Sequence, residues 1–227
     1  MFALRAALLL MYLPLAHYAG VRSSPVLAAV ALFDLALLVL LEGLWARRAR
    51  AWLGLCAAVA AVAGLYTADW ALIPLLLMPA VFLALVAAWF GRSLGRGREP
   101  LIVRIMTAIY AQSGAALSPQ HRAYGRRLTA LWAGLLGGLA AVNLVLALIA
   151  VPDGVLAQSG VAAPVSVTQA QWSLFANALN YGVVGAVLLL EFQWRKRVFP
   201  QRPYRNMLDF ARRMAALGPV FWRDLFR

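Results

Sequence analysis

Apolar residues gather into six long blocks, at about residues 4–21, 25–45, 50–67, 70–90, 127–150 and 171–192, with polar residues concentrated between them. Each block approaches the ~20 residues needed to cross ~30 Å of hydrocarbon at ~1.5 Å per residue. The pattern predicts an all-α integral membrane protein, a bundle of about six transmembrane helices with amphipathic surface helices on its cytoplasmic side. The first block is the weakest, because Arg5 and His17 shorten its apolar core. Its alternative reading is a signal peptide, but no small-x-small cleavage site follows, so the expectation is that the helix is retained. The chain then divides into residues 1–92 with four spans, a basic loop with an interfacial helix at 93–126, two further spans at 127–192, and a basic amphipathic tail at 193–227.

Two segments outside the blocks have helical periodicity. After Pro100, Leu101, Ile102, Ile105 and Ile109 share a face, and in the tail Met207, Phe210, Met214, Leu217, Phe221 and Leu225 do the same. Such helices lie in the headgroup plane with cations near lipid phosphate, or they pack beneath the bundle. Within the fifth block, Gly134 and Gly138 form one ridge of small residues and Ala133, Gly137 and Ala141 a second; the sixth block offers Ala178, Gly182 and Ala186. Small residues let helices approach closely, within one bundle or in a homo-oligomer. Pro74 and Pro79 each remove a backbone donor from the fourth block, which predicts a kink.

Charge supplies the orientation. Of 21 Lys and Arg residues, 20 fall at the N-terminus, in alternate loops or in the tail, and Arg22 alone falls on the other side. Positive charge is retained in the cytoplasm, so both termini are expected there, in a bacterial inner membrane. The net charge of +13 is thus a topology signal, and nucleic acid is not an expected partner. Composition agrees with membrane residence: 64% of residues are hydrophobic, against ~45–50% in soluble domains. A single cysteine, Cys56, in an apolar run, rules out an internal disulfide.

Polar groups inside the blocks are the first site candidates. Asp34 lies nine residues past Pro25, about 14 Å along a helix and near mid-bilayer. A lone carboxylate there costs ~2.5–3.5 kcal/mol on insertion scales, so it is functional or held by a hydrogen bond. In the sixth block Asn177, Asn180 and Tyr181 are spaced to share a face, Glu191 returns near the same azimuth, and Asn143 is placed to face them. The two readings are interhelical hydrogen bonding and the lining of a cavity for an amphiphile. Glu42 and Glu191 each precede a cation cluster, which predicts local ion pairing. His17 reads as an interfacial structural residue and His121 as a solvated loop residue.

The second candidate is cationic. In "FGRSLGRGREP", residues 90–100, three glycines alternate with Arg92, Arg96 and Arg98, and Arg126 and Arg127 follow before the fifth block. The plain reading is a stop to the apolar run and a turn, with Pro100 starting the next helix. The functional reading is a set of backbone N–H groups and guanidiniums that hold a lipid-head or carrier phosphate. No P-loop, H-E-x-x-H, G-x-S-x-G or Cys–His arrangement occurs, and neither metal nor cofactor is expected. His121 lacks the aspartate of an H-x4-D acyltransferase; Arg126 stands there.

Four segments together, "FGRSLGRGREPLI" (90–102), "YGRRLTALW" (124–132), "WSLFANALNY" (172–181) and "EFQWRKRVFP" (191–200), resemble a family of small bacterial inner-membrane proteins. Its members are encoded in gene clusters for aryl-polyene and xanthomonadin-type pigments, and some carry a ketosynthase label. The family pattern has Tyr-Thr-Arg-Arg where this chain has Tyr124-Gly125-Arg126-Arg127. The resemblance implies a part in making or handling a lipid-linked aryl polyene, with membrane lipids and acyl carrier protein as partners. It names no reaction, and Cys56 in a membrane run does not fit a ketosynthase. Three readings follow: a non-catalytic component that recruits biosynthetic proteins or holds the product, a membrane acyl or lipid transferase, and a transporter or flippase.

Overall fold

The computed structural model describes residues 2–200 and 203–225, except the side chains of Phe2, Ala3, Leu13 and Asn177. Arg202 and Arg227 of the basic tail therefore lie outside the described residues. Helices dominate: α1 (Phe2–Val21), α2 (Pro25–Trp45), α3 (Ala49–Thr67), α4 (Ile73–Ser93), α5 (Leu101–Ala111) and α6 (Pro119–Ile149). Then come β1 (Ala150–Val151), α7 (Val155–Gln158), β2 (Val167–Thr168), α8 (Gln169–Leu174), a π-helical segment (Phe175–Leu179), α9 (Asn180–Val198), α10 (Met207–Ala215) and α11 (Gly218–Leu225). The two-residue strands pair in parallel, Ala150 with Val167 and Val151 with Thr168.

Among the described residues five helices, α1, α2, α3, α4 and α6, are long and apolar enough to cross a membrane. Their outer faces are rich in exposed apolar side chains, such as Leu10, Val39, Leu53, Phe82 and Leu85. A water-soluble monomer rarely carries so continuous an apolar exterior. The sixth expected block is a helical run from 169 to 198, divided by its π-helical segment. Its last turn carries Arg195, Lys196 and Arg197.

The chain forms two compact units, Met1–Ala80 with Asn143–Ser173, and Val81–Val142 with Leu174–Arg227. In the first, α1 and α2 form an antiparallel hairpin in even register. Arg5 meets Glu42 at one end, and Ala19 and Ala28 share a small core with Ala71 and Leu72 at the other. The turn is tight: Ser23 has φ 44°, Ser24 caps α2 by accepting from Leu27 N, and Pro25 opens the helix. Pro25 suits that position because the N–H it lacks has no partner in a first turn. The same argument corrects the expectation for Pro74. It is the second residue of α4, so it takes no bond from the helix, and Pro79 alone lies inside.

α6, whose residues 119–142 belong to the second unit, is 31 residues long, about 46 Å at 1.5 Å per residue. It begins eight residues before the expected span, because Ser118 caps it and Pro119 starts it. The segment Tyr124-Gly125-Arg126-Arg127 is therefore helix rather than loop. α5 packs on this extension at Gly125, where a Cβ would stand 2.8 Å from Val103 Cγ2 and 3.2 Å from Met106 Sδ. Thr129 locks the contact by donating to Gly125 O at 2.7 Å and accepting from Ile102 N at 3.3 Å.

The amphipathic stripes of α5 and the tail face each other. Ile105 and Ile109 of α5, Phe192 of α9, and Met207, Phe210 and Met214 of α10 build one cluster with Tyr204 and Leu217. Packing, rather than immersion of each stripe among headgroups, satisfies these apolar faces. The tail is two helices, broken where Gly218 has φ 77°. Of the small-residue ridges, Gly137 lies against α4, with Ala87 Cβ 3.9 Å from where its own Cβ would be. Gly134, Gly138 and Gly182 meet nothing within 4 Å among the described residues.

Candidate functional site

The arginine candidates cluster around the end of α4 and the start of α6. Arg92 lies in the last turn of α4, and Arg96 and Arg98 in the connection to α5, all exposed. Ser93 ties that connection at both ends: its hydroxyl donates to Phe90 O at 2.7 Å and accepts from Leu101 N at 3.0 Å. Gly97, at φ 76°, makes the reversal, a conformation most side chains resist. Pro100 is the residue before α5 rather than its first. Arg126 reaches back from α6 and donates to Leu94 O at 3.1 Å, so its guanidinium lies at the same loop.

The loop is less of a phosphate cradle than its glycines imply. The N–H groups of Leu94, Gly95 and Arg98 are already bonded to Gly91, Arg92 and Gly95 carbonyls. What it offers is side-chain charge. Among the described residues no carboxylate forms an ion pair with Arg92, Arg96, Arg98, Arg126 or Arg127; Glu99, the one acid in the loop, pairs with Arg122 at 2.7 Å.

The polar candidates fall in both units. Asp34 and Asn143 belong to the first unit; Asn180, Tyr181 and Glu191 belong to the second. Asp34 is buried at 7% exposure, and its Oδ2 has no hydrogen-bond partner among the described residues. Asn143 is 1% exposed. Asn180 is buried, and its Nδ2 donates to Ala176 O at 3.1 Å, which fills the widened turn of the π segment. Tyr181, expected on the same face, is instead 74% exposed. Tyr181 directly follows Asn180 within α9, beyond the π segment, so ordinary helical geometry turns it about 100° from that buried side chain. The Asn177 side chain lies outside the described residues.

Glu191 has the richest setting. It pairs with Arg195 one turn on, as expected, and accepts from the Tyr124 hydroxyl at 2.9 Å. Arg195 also donates to Tyr204 OH at 3.1 Å and lies 5.2–5.9 Å from the ring centres of Phe192, Tyr204 and Phe210. All of these lie beyond the expected spans or at their ends. Burial opposes the Arg195 charge, but the bonds to Glu191 and Tyr204 outweigh it and hold the guanidinium protonated. Burial, then the Glu191 carboxylate, pushes the Tyr124 phenol well above its ordinary range. Glu42 differs from expectation: its partner is Arg5 of α1 at 2.9 Å, not the cations that follow it.

His121 corrects another reading. It is a helical residue in the first turn of α6, stacked on Phe199 at 4.1 Å and edge-on to Tyr110 at 5.0 Å. Its Nδ1 meets Ser118 Oγ at 2.6 Å, and burial lowers its pKa below the ordinary 6.5. Sequence reasoning missed Tyr124, Tyr204 and Phe199 as partners. The signal for the first was Ser118-Pro119, which starts the helix that carries it.

Three of the four segments behind the family resemblance meet in this one place. Ile102 touches Thr129, and Tyr124 touches both Glu191 and Phe199. No family model, curated protein or solved structure matches the chain.

Proposed function

We propose that this protein is a non-catalytic component of a bacterial inner membrane, of the aryl-polyene type its four segments resemble. Its basic end faces the cytoplasm and recruits an acidic partner, acyl carrier protein in the first instance, to the membrane surface. One observation carries the reading: Arg92, Arg96 and Arg98 at the α4–α5 connection and Arg126 and Arg127 on α6 are exposed and without ion pairs among the described residues, and the connection is anchored by Ser93 and by the packing of α5 on α6. Unpaired surface cations steer an anionic partner and supply on-rate. The Tyr124–Glu191–Arg195 network supports a scaffold role, since its polar groups are engaged with one another beneath that surface.

The test is capture of acyl carrier protein by the full chain in nanodiscs of uncharged lipid. Binding is expected at low ionic strength, and is expected to fall steeply as salt shortens the screening length to ~8 Å at physiological strength. The triple substitution Arg92→Gln, Arg96→Gln, Arg98→Gln abolishes it. Capture that ignores both salt and these arginines overturns the reading. Asp34, buried with one carboxylate oxygen unpartnered, favours a transporter as the second reading. Under it, Asp34→Asn leaves synthesis of the polyene intact and changes the leaflet in which the product is found.

A further inference from the structure

The turn between α1 and α2 carries chemistry that the basic end does not use. A groove of about 440 Å³ runs along this hairpin, lined by Met11, Pro14, Leu15, Tyr18, Arg22 and Leu27. Its volume falls within the ~300–1,000 Å³ of small-ligand sites. From Met11 to Arg22 the helix rises about 16 Å. Met11 and Tyr18 are more than half exposed, so the groove opens on the outer surface of the hairpin.

Arg22 is the anomaly. It is the single cation in the loops that otherwise carry only Asp69 and Asp153, so charge asymmetry does not account for it. No ion pair engages it among the described residues; its guanidinium lies 5.6 Å from the centre of the Tyr18 ring. Asp153 bonds the hydroxyl of Ser23 instead. The turn is fixed in place by that bond, by Ser24 N to Ala19 O at 3.0 Å and by the Ser24 cap on α2. An exposed guanidinium on a braced turn, above an apolar groove and beside a tyrosine, matches an acyl chain with an anionic head. Arginine suits phosphate because its planar fork donates two bonds at once, and tyrosine prefers the headgroup level.

We propose that this groove holds one anionic phospholipid of the surrounding bilayer, with an acyl chain along Met11, Pro14, Leu15 and Leu27 and its phosphate on Arg22. The site does not rest on the docking role of the basic end. A lipid is the occupant because the groove lies on the face of membrane-length helices, open to the bilayer. Its head is anionic because the one charged group in the lining, Arg22, is positive and has no ion pair among the described residues, while the Asp153 carboxylate beside the turn is engaged with Ser23.

The experiment is native mass spectrometry of the full chain released from nanodiscs of equal phosphatidylglycerol and phosphatidylcholine. The background carries Arg92→Gln, Arg96→Gln and Arg98→Gln, which removes lipid held by those arginines. This protein is expected to retain one phosphatidylglycerol in preference to phosphatidylcholine. Adding Arg22→Gln lowers that retention about fivefold, the value of one cation at a membrane surface. Leu15→Trp keeps the charge, fills the groove and lowers retention as well. Retention unchanged by Arg22→Gln, equal retention of the two lipids, or a lipid-free dimer that seats a second copy on the groove each overturns the proposal. Circular dichroism of each variant checks that the helices are intact.

Discussion

Two ion pairs of the same chemistry sit in opposite surroundings. Arg5 and Glu42 join α1 to α2 in the first unit at 2.9 Å, with side chains 40% and 69% exposed. Arg195 and Glu191 pair within α9 of the second unit, with side chains 9% and 7% exposed, roofed by aromatic rings and joined to Tyr124 and Tyr204. The first pair links helices already held by small residues at Ala19 and Ala28. The second fixes α9 against α6 and the tail. Apolar matching alone is permissive about helix register, because one aliphatic side chain fits nearly as well as the next. A buried carboxylate with two named partners is not.

The contrast breaks most visibly if the two glutamates are truncated. Glu191→Ala leaves Arg195 buried and uncompensated, and is expected to cost ~3–5 kcal/mol. Glu42→Ala is expected to cost ~0–1 kcal/mol, as exposed pairs do. Unfolding by dodecyl sulfate in mixed micelles, followed by tryptophan fluorescence, measures both. Equal losses would remove the distinction between the units.

Glycines sharpen it next. Gly125→Thr drives a side chain into Val103 and Met106, and is expected to destabilise by ~1–3 kcal/mol. Gly138→Ala meets no atom within 4 Å, and is expected to gain up to ~0.8–1.0 kcal/mol from helix propensity. The same unfolding titration reads the signs. A loss at Gly138 would show that another helix covers that face.

The smallest effect is protonation. Burial holds the folded pKa of His121 below 6.5, so the unfolded chain takes the proton first as pH falls. The contribution of this residue is therefore complete above its ordinary value and is lost as pH falls from there through the lowered folded value. Stability measured from pH 8 to pH 5 is expected to decline, and His121→Phe to flatten that decline. A decline of the same slope in the variant assigns it elsewhere.

Long apolar runs were legible because a membrane requires them and permits few alternatives. Hydropathy marked α1 to α4 and the body of α6 within a few residues, and local ion pairing of Glu191 followed from the cation cluster after it. The start of α6 was missed because its first two turns are polar, and hydropathy ends where the bilayer does. The Arg5–Glu42 pair was missed because it depends on how two helices align, not on spacing within one. Tyr181 was misplaced because adjacent helical residues point in different directions: with Asn180 turned inward, Tyr181 faces out.

The sequence by itself determined the helical membrane class and the segregation of cations, since both follow from composition summed along a single axis. Tertiary structure alone decided which groups meet. It turned the amphipathic stripes of α5 and α10 toward each other, placed Tyr124 on Glu191, enclosed Arg195 in aromatic rings, and left Arg22 beside an apolar groove with no ion pair among the described residues. Burial in water or lipid is a property each residue carries with it. A partner is fixed only when separate helices stop at a common register.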